Sequence, residues 1–362
     1  MIDFVNLAKE NAPFEPRFKA SLEGILTSGA YLLGKEMAEL ESSFSKSVNV
    51  AHCATVSCGL DALTLGIMAL DLPAQSEILV PANTYIATFF SISNSGHKPV
   101  PVEPDAKTFN IDPNAIEAAI TSSTKAIMVV HLYGRAAAMD EICRIAQKHN
   151  LKVIEDCAQA YGARIHNKPV GSWGDIGAFS FFPTKALGGI GDGGAITTSN
   201  QKLYQRVREL RQYGSTVKNE HVRIGFNSRL SEIEAAFLNS KMGHIDQMNE
   251  KRRQIAKHYI ESVSNSFIQL PEWPEHAEEH VWHLFTVQTK DRDALSKHLL
   301  NKGIRCMTHY PKPPHLQEAY EGRFNGAYPI TENIHAHTLT IPLHSALTKQ
   351  EVHQITEALN SY

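Results

Sequence analysis

No run of about 18 consecutive apolar residues occurs in this chain, so a membrane-spanning helix is not expected. Cysteine is scarce. Cys53, Cys58, Cys143, Cys157 and Cys306 are odd in number and scattered, with no CxxC pair. That argues against a cysteine zinc site and for free thiols in a reducing cytoplasm. A basic excess is missing too. The 35 Lys and Arg against 38 Asp and Glu leave a net charge of −3, so neither nucleic acid nor an anionic membrane is an expected partner. The largest basic cluster, Lys251-Arg252-Arg253, reads as a solvated helix face. The opening residues MIDFVNLAKE hold no basic stretch ahead of an apolar one, so no secretory leader is expected. Neither an internal repeat nor a low-complexity linker is visible.

What is present fits a globular protein. Apolar residues make up 43% and charged ones 20%, and 362 residues suffice for two domains and a sizeable core. The first half alternates in pattern. A turn runs into a helix over Ser57–Leu70, and Glu77–Pro81 is a short apolar strand. A helix begins near Ala87–Asn94, a β-rich run covers Ala126–His131, and a helix covers Met139–His149. Leu151–Glu155, Ile176–Phe182 and Ala195–Thr198 read as strands. Strands alternating with helices predict an α/β fold with a large, mainly parallel sheet. After Ser231 the pattern changes. Glu232–Ser264 reads as one long helix, His280–Thr289 as a strand, Ala294–Lys302 as a helix and Thr338–Pro342 as a strand. Tyr310–Pro314 is a rigid proline-rich loop. The expected division is a large domain over 1–235 and a smaller C-terminal α/β domain over 236–362.

Three features carry chemistry. Val153-Ile154-Glu155-Asp156 is an apolar strand ending in two acids, where open α/β sheets place ligand-facing residues. Alternation lets only one of the two enter a site. An isolated strand-end Asp is more often a helix cap or an exposed loop acid. The second feature is Lys185, set between the aromatic run Phe179-Ser180-Phe181-Phe182 and a glycine-rich loop from Gly188 to Gly194. Desolvation there lowers a lysine pKa and makes a better amine nucleophile, and the glycines let backbone approach a flat ligand. The bland alternative is a surface charge. Gly189, Gly191 and Gly194 spell GxGxxG, but the loop leads into a strand where a dinucleotide fingerprint opens a helix. The third feature is Ser57-Cys58-Gly59-Leu60-Asp61, a small-residue turn opening a helix whose N-terminus suits a phosphate. An imine-forming lysine, a carboxylate for a pyridine nitrogen and a phosphate cradle are together the requirements of pyridoxal phosphate chemistry.

The chain resembles the DegT/DnrJ/EryC1/StrS family of sugar-nucleotide aminotransferases, of fold type I, nearly end to end. The resemblance rests on Ser28-Gly29, Gly59–Leu63, Pro81–Thr88, His131-Leu132-Tyr133-Gly134, Glu155–Ala160, Phe179–Lys185, Gly191–Ala195, Gly225–Leu230 and His309-Tyr310-Pro311. It implies that Lys185 forms the Schiff base and Asp156 pairs with the pyridine nitrogen. Gln159 then lies by the ring and its phenolic oxygen, and Tyr85 stacks on the ring. Ser180 and the backbone of Gly59 and Leu60 hold the phosphate. Asn227 reaches the partner subunit's phosphate, which implies a homodimer with shared active sites. Two positions depart from the common pattern: Leu60 stands where Thr is frequent, and Ala186 where Asn is frequent. Relatives with His at the lysine position are dehydratases, and Lys185 argues against that outcome.

The implied reaction takes an amino group from L-glutamate to a nucleotide-linked keto sugar. The local likeness of Gly59–Leu63, Asn83–Thr88 and Tyr213-Gly214-Ser215 is to the branch that aminates C-3 of a dTDP-linked 3-keto-6-deoxyhexose. Such products are deoxy amino sugars of the lipopolysaccharide O-antigen kind. The alternatives are a C-4 aminotransferase, a sugar dehydratase or lyase, and a non-catalytic regulator on the same fold. Arg229 is a candidate for the glutamate carboxylate, with a structural ion pair as its alternative. The resemblance places His283 and His315 in or near the site without a role. A metal reading of His280, His283, His335, His337 and His344 is set aside, because strand alternation would put His280 and His283 on opposite faces.

Overall fold

A computed structural model describes residues 1–217 and 219–362. Seven strands form the central sheet: β1 His52–Val56, β2 Glu77–Pro81, β3 Lys98–Val102, β4 Thr124–Val130, β5 Lys152–Asp156, β6 Ile176–Ser180 and β7 Gly194–Thr198. Their spatial order is β1-β7-β6-β5-β4-β2-β3, and β7 alone runs antiparallel to its neighbours. The expected mainly parallel sheet is therefore present. Both faces are covered, as near-continuous apolar strands require. Ile78 and Val80 pack on one face with Leu63, Ile67 and Phe89, while Leu79 between them packs on the other with Ile142 and Ile145.

Because β1, β2, β4, β5 and β6 run the same way, their carboxyl ends share one edge. The helices Gly59–Ala69 and Ile86–Asn94 start just past β1 and β2, also at that edge. Glu232 ties the edge to the preceding chain. Its buried carboxylate accepts the N–H groups of Gly34, Glu36 and Met37 and so caps the helix Lys35–Val48.

The C-terminal region has its own apolar cluster. Phe285–Gln288 (β8) pairs antiparallel with Thr338–Ile341 (β9) under the helices Ile245–Ser262, Arg292–Asn301 and Lys349–Asn360. Trp282, Tyr259, Phe285 and Leu339 fill this cluster, and so does Ile2, which bridges to Ile304. The chain's first residues thus pack on its last third.

Three expectations are corrected. The segment from Glu232 is not one helix but two, Glu232–Met242 and Ile245–Ser262, interrupted at Gly243-His244. Glycine is a weak helix former, and the two halves pack differently. Ala235 and Leu238 join the large-sheet cluster, while Ala256 and Tyr259 join the C-terminal one. The strand expected over His280–Thr289 is formed only from Phe285. Trp282 sits at φ +51°, and a left-handed residue cannot continue a strand. The alternation argument for His280 and His283 therefore has no strand beneath it. Finally, Lys251-Arg252-Arg253 is not a solvated face: Arg252 is buried while Lys251 is exposed. Helical spacing puts Arg252 on the inward stripe with Met248, Ala256 and Tyr259.

Candidate active site

The carboxyl edge of the sheet opens on a cavity of about 640 Å³. Gly59, Leu60, Tyr85, Asp156, Gln159, Ser180, Lys185 and His283 all line it. Segments up to 224 residues apart in sequence thus meet in one place, as the crevice rule for open sheets expects.

Asp156 is the last residue of β5 and is buried. One carboxylate oxygen accepts the Thr88 hydroxyl at 2.9 Å, and the other accepts the Ala158 N–H at 3.1 Å. Burial pushes its pKa above the usual carboxylate value, against the pull of Ala158, Thr88, Lys185 and His131. Glu155, one residue earlier, points the opposite way. Its oxygens accept the N–H groups of Gly171, Trp173 and Gly174 and face His131 Nε2 at 3.1 Å. The ring's Nδ1 accepts the Ala137 N–H at 3.0 Å, so Nε2 carries the proton and donates to Glu155. His131, Glu155 and Cys157 bring their ligand atoms within 4.8 Å of one another. Those hydrogen bonds make Glu155 and His131 a clasp for the 171–174 loop.

Lys185 is half-buried in the cavity wall. Burial pushes its ammonium pKa down to about 8, against the pull of Asp156. The glycine loop that follows was expected from sequence to let backbone approach a flat ligand, and in the structure it packs on a side chain of the protein itself. It wraps a side chain: Glu234 Oε1 accepts the Ile190 N–H at 2.9 Å, and a Cβ on Gly189 would overlap that carboxylate. In that loop Asp192 alone lines the cavity.

At the other end Cys58 caps the helix Gly59–Ala69, its Sγ accepting the Asp61 N–H at 3.4 Å. A Cβ on Gly59 would stand 2.7 Å from the Ser180 Cβ, so this turn and Ser180 form one close cradle. Gln159 is pinned from both sides. Its Oε1 accepts the Tyr133 N–H at 2.6 Å, and its Nε2 donates to the Tyr310 hydroxyl at 2.9 Å. Tyr310 in turn lies 5.1 Å from the ring of Tyr85. His283 and His309 complete the far wall, and burial followed by the charge of Lys185 lowers both their pKa values, that of His309 to about 4.

The donor set fits pyridoxal phosphate: a depressed lysine amine, a buried carboxylate and a helix N-terminus beside a hydroxyl converge on one cavity. The model of the DegT/DnrJ/EryC1/StrS aminotransferase family matches residues 14–360. The chain belongs to that family. Over 100% of its length and 99% of the relative's, it is 46% identical to the dTDP-3-amino-3,6-dideoxy-alpha-D-galactopyranose transaminase of Aneurinibacillus thermoaerophilus. It is 38% identical to the dTDP-3-amino-3,4,6-trideoxy-alpha-D-glucose transaminase of Streptomyces venezuelae, over 100% of this chain and 96% of that one. The crystal structure of DesV from S. venezuelae in complex with a ketimine intermediate superposes with a TM-score of 0.96 at 38% identity, covering 99% of this chain and 98% of that one. The protein is a fold-type I aminotransferase that uses pyridoxal phosphate, and both relatives above are named as transaminases of dTDP-3-amino sugars.

Three residues named from this aminotransferase's sequence lie outside the cavity of the single chain. Asn227 is exposed and accepts a hydrogen bond from Arg229 Nη2 at 2.5 Å, while that guanidinium stands 5.9 Å from the Tyr213 ring. His315 is buried beside Glu332, at 3.3 Å, and tilts against Tyr328. Conversely, sequence reasoning gave no role to Thr88, His309, Tyr310, Glu10 or Arg252, all of which line the cavity or touch its residues. Thr88, His309 and Tyr310 lay within stretches that carried the family resemblance, and Arg252 carried a signal of its own. Its spacing from Met248, Ala256 and Tyr259 puts it on the apolar stripe of its helix.

Proposed function

We propose that this aminotransferase moves the amino group of L-glutamate to C-3 of a dTDP-linked 3-keto-6-deoxyhexose. The observation that carries the reading is the convergence of Lys185 and Asp156 in one cavity, in a chain 46% identical over its full length to a transaminase named for a dTDP-3-amino sugar. When bound, pyridoxal phosphate supplies an aldehyde that condenses with amines and a ring that takes up electrons from a broken C–H bond. Lys185 supplies the holding amine. Freed from the cofactor by a substrate amine, its Nζ would be the group that holds and moves the proton at the reacting carbon in each half-reaction. Asp156 keeps a proton on the pyridine nitrogen, and Thr88 and the Ala158 N–H fix its orientation. Its burial makes an isolated anion costly, so a cationic ring partner is held strongly. Gln159 and Tyr85 position the ring, while Ser180 and the Gly59-Leu60 turn hold the phosphate.

A homodimer with shared sites completes the reading. Tyr31, Phe182, Ile190, Ile224 and Phe226 are large apolar side chains left exposed on the single chain, Ile224 at 90%. Exposed apolar groups of this size mark an interaction surface. Asn227 lies in the same segment and is the residue assigned to the partner's phosphate, with the Arg229 hydrogen bond orienting its amide. Arg229 then serves that contact, and Arg229→Lys should leave the glutamate half-reaction near wild type. Among the described residues no helix is long and apolar enough to cross a membrane, and a cytoplasmic enzyme supplying amino sugar for an O-antigen fits the substrate.

Proton NMR of the product from a panel of keto-sugar nucleotides tests the position of amination. An amine on C-3 is the expected result; one on C-4 sinks this reading and leaves the family in place. Sedimentation followed by cofactor absorbance tests the shared site, where a stable monomer retaining full cofactor is the contrary result.

A further inference from the structure

We propose that Arg252 is the carboxylate-binding residue for the amino donor, with Glu10 as the counter-ion that it exchanges for that carboxylate. The proposal rests on the reading that the donor is L-glutamate. Both residues are buried and both line the cavity that holds Lys185. His283 lines the same cavity.

The hydrogen bonds around Arg252 leave it available. A guanidinium has five N–H donors. Among the described residues Arg252 donates to Asn249 Oδ1 at 3.2 Å and to Glu10 Oε1 at 3.5 Å. The Glu10 contact is long against the roughly 2.7–2.9 Å of a well-made pair of charged partners, while the Asn249 contact is an ordinary bond to a neutral amide. Asn249 is itself held, its Nδ2 donating to the Tyr161 carbonyl at 3.1 Å, so it supports the guanidinium from behind. Glu10 does not depend on Arg252. The same Oε1 accepts the Ser345 N–H at 3.0 Å and the Ser345 hydroxyl at 2.5 Å.

The neighbourhood favours an added anion. Burial raises the Glu10 pKa and the charges of Arg252, His344 and Lys241 lower it, while the Lys241 ammonium is held on Asn11 Oδ1 and the Gly188 carbonyl, each at 3.1 Å. His344 is buried, lines the cavity, and its Nδ1 has no partner among the described residues. An aminotransferase must seat a dicarboxylate and a sugar ring in turn at one lysine. A permanently unpaired arginine would be costly to bury while the sugar is bound. A loosely paired one is neutralised by Glu10 in that half-reaction and released to the carboxylate in the other.

The diphosphate of the sugar nucleotide has related chemistry, so the test separates the two anions. Isothermal titration calorimetry of the holoenzyme would measure binding of glutarate, a dicarboxylate with no reacting amine, and separately of dTDP. Arg252→Gln should weaken glutarate by about 10- to 150-fold and leave dTDP unchanged. Glu10→Gln should tighten glutarate by about tenfold, because the guanidinium then has no competing carboxylate. If Arg252→Gln does not fold, the Glu10→Gln/Arg252→Gln pair, which buries no charge at either position, replaces it with the same expected loss. Unchanged glutarate affinity in either arginine variant overturns the assignment, as does a loss that falls on dTDP. Unchanged or weaker glutarate binding in Glu10→Gln overturns it as well. A wild-type holoenzyme that binds no glutarate sinks the glutamate reading along with it, whereas normal wild-type binding with unaffected variants sinks the arginine assignment alone.

Discussion

The sheet-side wall of the cavity, with Gly59, Asp156, Ser180 and Lys185, and the opposing wall, with His283, His309 and Tyr310, are held by different means. On the sheet side each residue ends a strand or follows one within a few positions, so the ladder of β1, β7, β6 and β5 fixes it. On the opposing side the residues sit on irregular backbone. Trp282 is left-handed, His280 stacks on it at 3.8 Å, and its own N–H bonds to His280 Nδ1 at 3.0 Å. His309 is held by the Thr340 hydroxyl at 2.9 Å and by a stacked Phe4. The difference suggests a division of labour. The atoms assigned to the cofactor come from rigid strand ends, and the opposing wall is assembled from side chains held by partners far away in sequence.

If that division is right, substitutions on the sheet side strike the chemical step and those opposite strike it less. Lys185→Ala should have the largest effect, a loss of both half-reactions by at least about 10⁴-fold. Borohydride reduction and peptide mapping of the wild type check the assignment, and a label on another lysine would break it. Asp156→Asn should keep the cofactor and slow both half-reactions by about 10²- to 10³-fold, read in single turnovers with glutamate. Wild-type rates in a folded protein would reduce Asp156 to a structural role.

Thr88→Val tests whether the sheet side depends on its support. It leaves one oxygen of a buried carboxylate without a partner, which costs about 1.5–3 kcal/mol and raises the Asp156 pKa further. The expected result is a rate roughly 10-fold lower, with the pH profile of the glutamate half-reaction displaced upward on its acid limb. A mere loss of thermal stability with an unmoved profile would count against it.

The pH dependence of cofactor capture follows from Lys185. Its pKa is lowered to about 8, and only the neutral amine attacks an aldehyde. Capture of pyridoxal phosphate by the cofactor-free protein should therefore rise about tenfold per pH unit below about 8 and level off above it. Since the Asp156 charge raises this pKa, Asp156→Asn should move the plateau to lower pH. Stopped-flow absorbance reads both, and a rise continuing to pH 10 would show an ordinary exposed lysine. The smallest effect is expected opposite: Tyr310→Phe removes one hydrogen bond to Gln159, about 1 kcal/mol, and should lower the rate about fivefold. A loss as large as that of Asp156→Asn would break the comparison between the walls.

The two walls also differed in how they could be read. Glu155-Asp156, Phe179–Lys185 and Gly59-Leu60 are contiguous stretches in which a strand pattern and a chemical group sit side by side, so their shared edge followed from a parallel sheet. Which acid faces the cavity did not follow from alternation alone. The hydrogen bonds of Glu155 to the 171–174 loop settle it. The glycine loop was open to two readings for a related reason. Glycine reports close approach without saying to what, and here Glu234 occupies the space.

By itself the sequence determined the sheet, its direction and the lysine–carboxylate pair, because local periodicity and strand-end chemistry act over a few neighbouring residues. Tertiary structure alone decided the charged pair that stands opposite. Glu10, Arg252 and His344 are joined by packing between chain segments more than 90 residues apart, and an ion pair between buried groups at such separations leaves no local pattern. Burial also decided their chemistry. The same arginine on an exposed helix face would be a solvated charge, whereas within the wall of a cavity its charge must be met by a carboxylate.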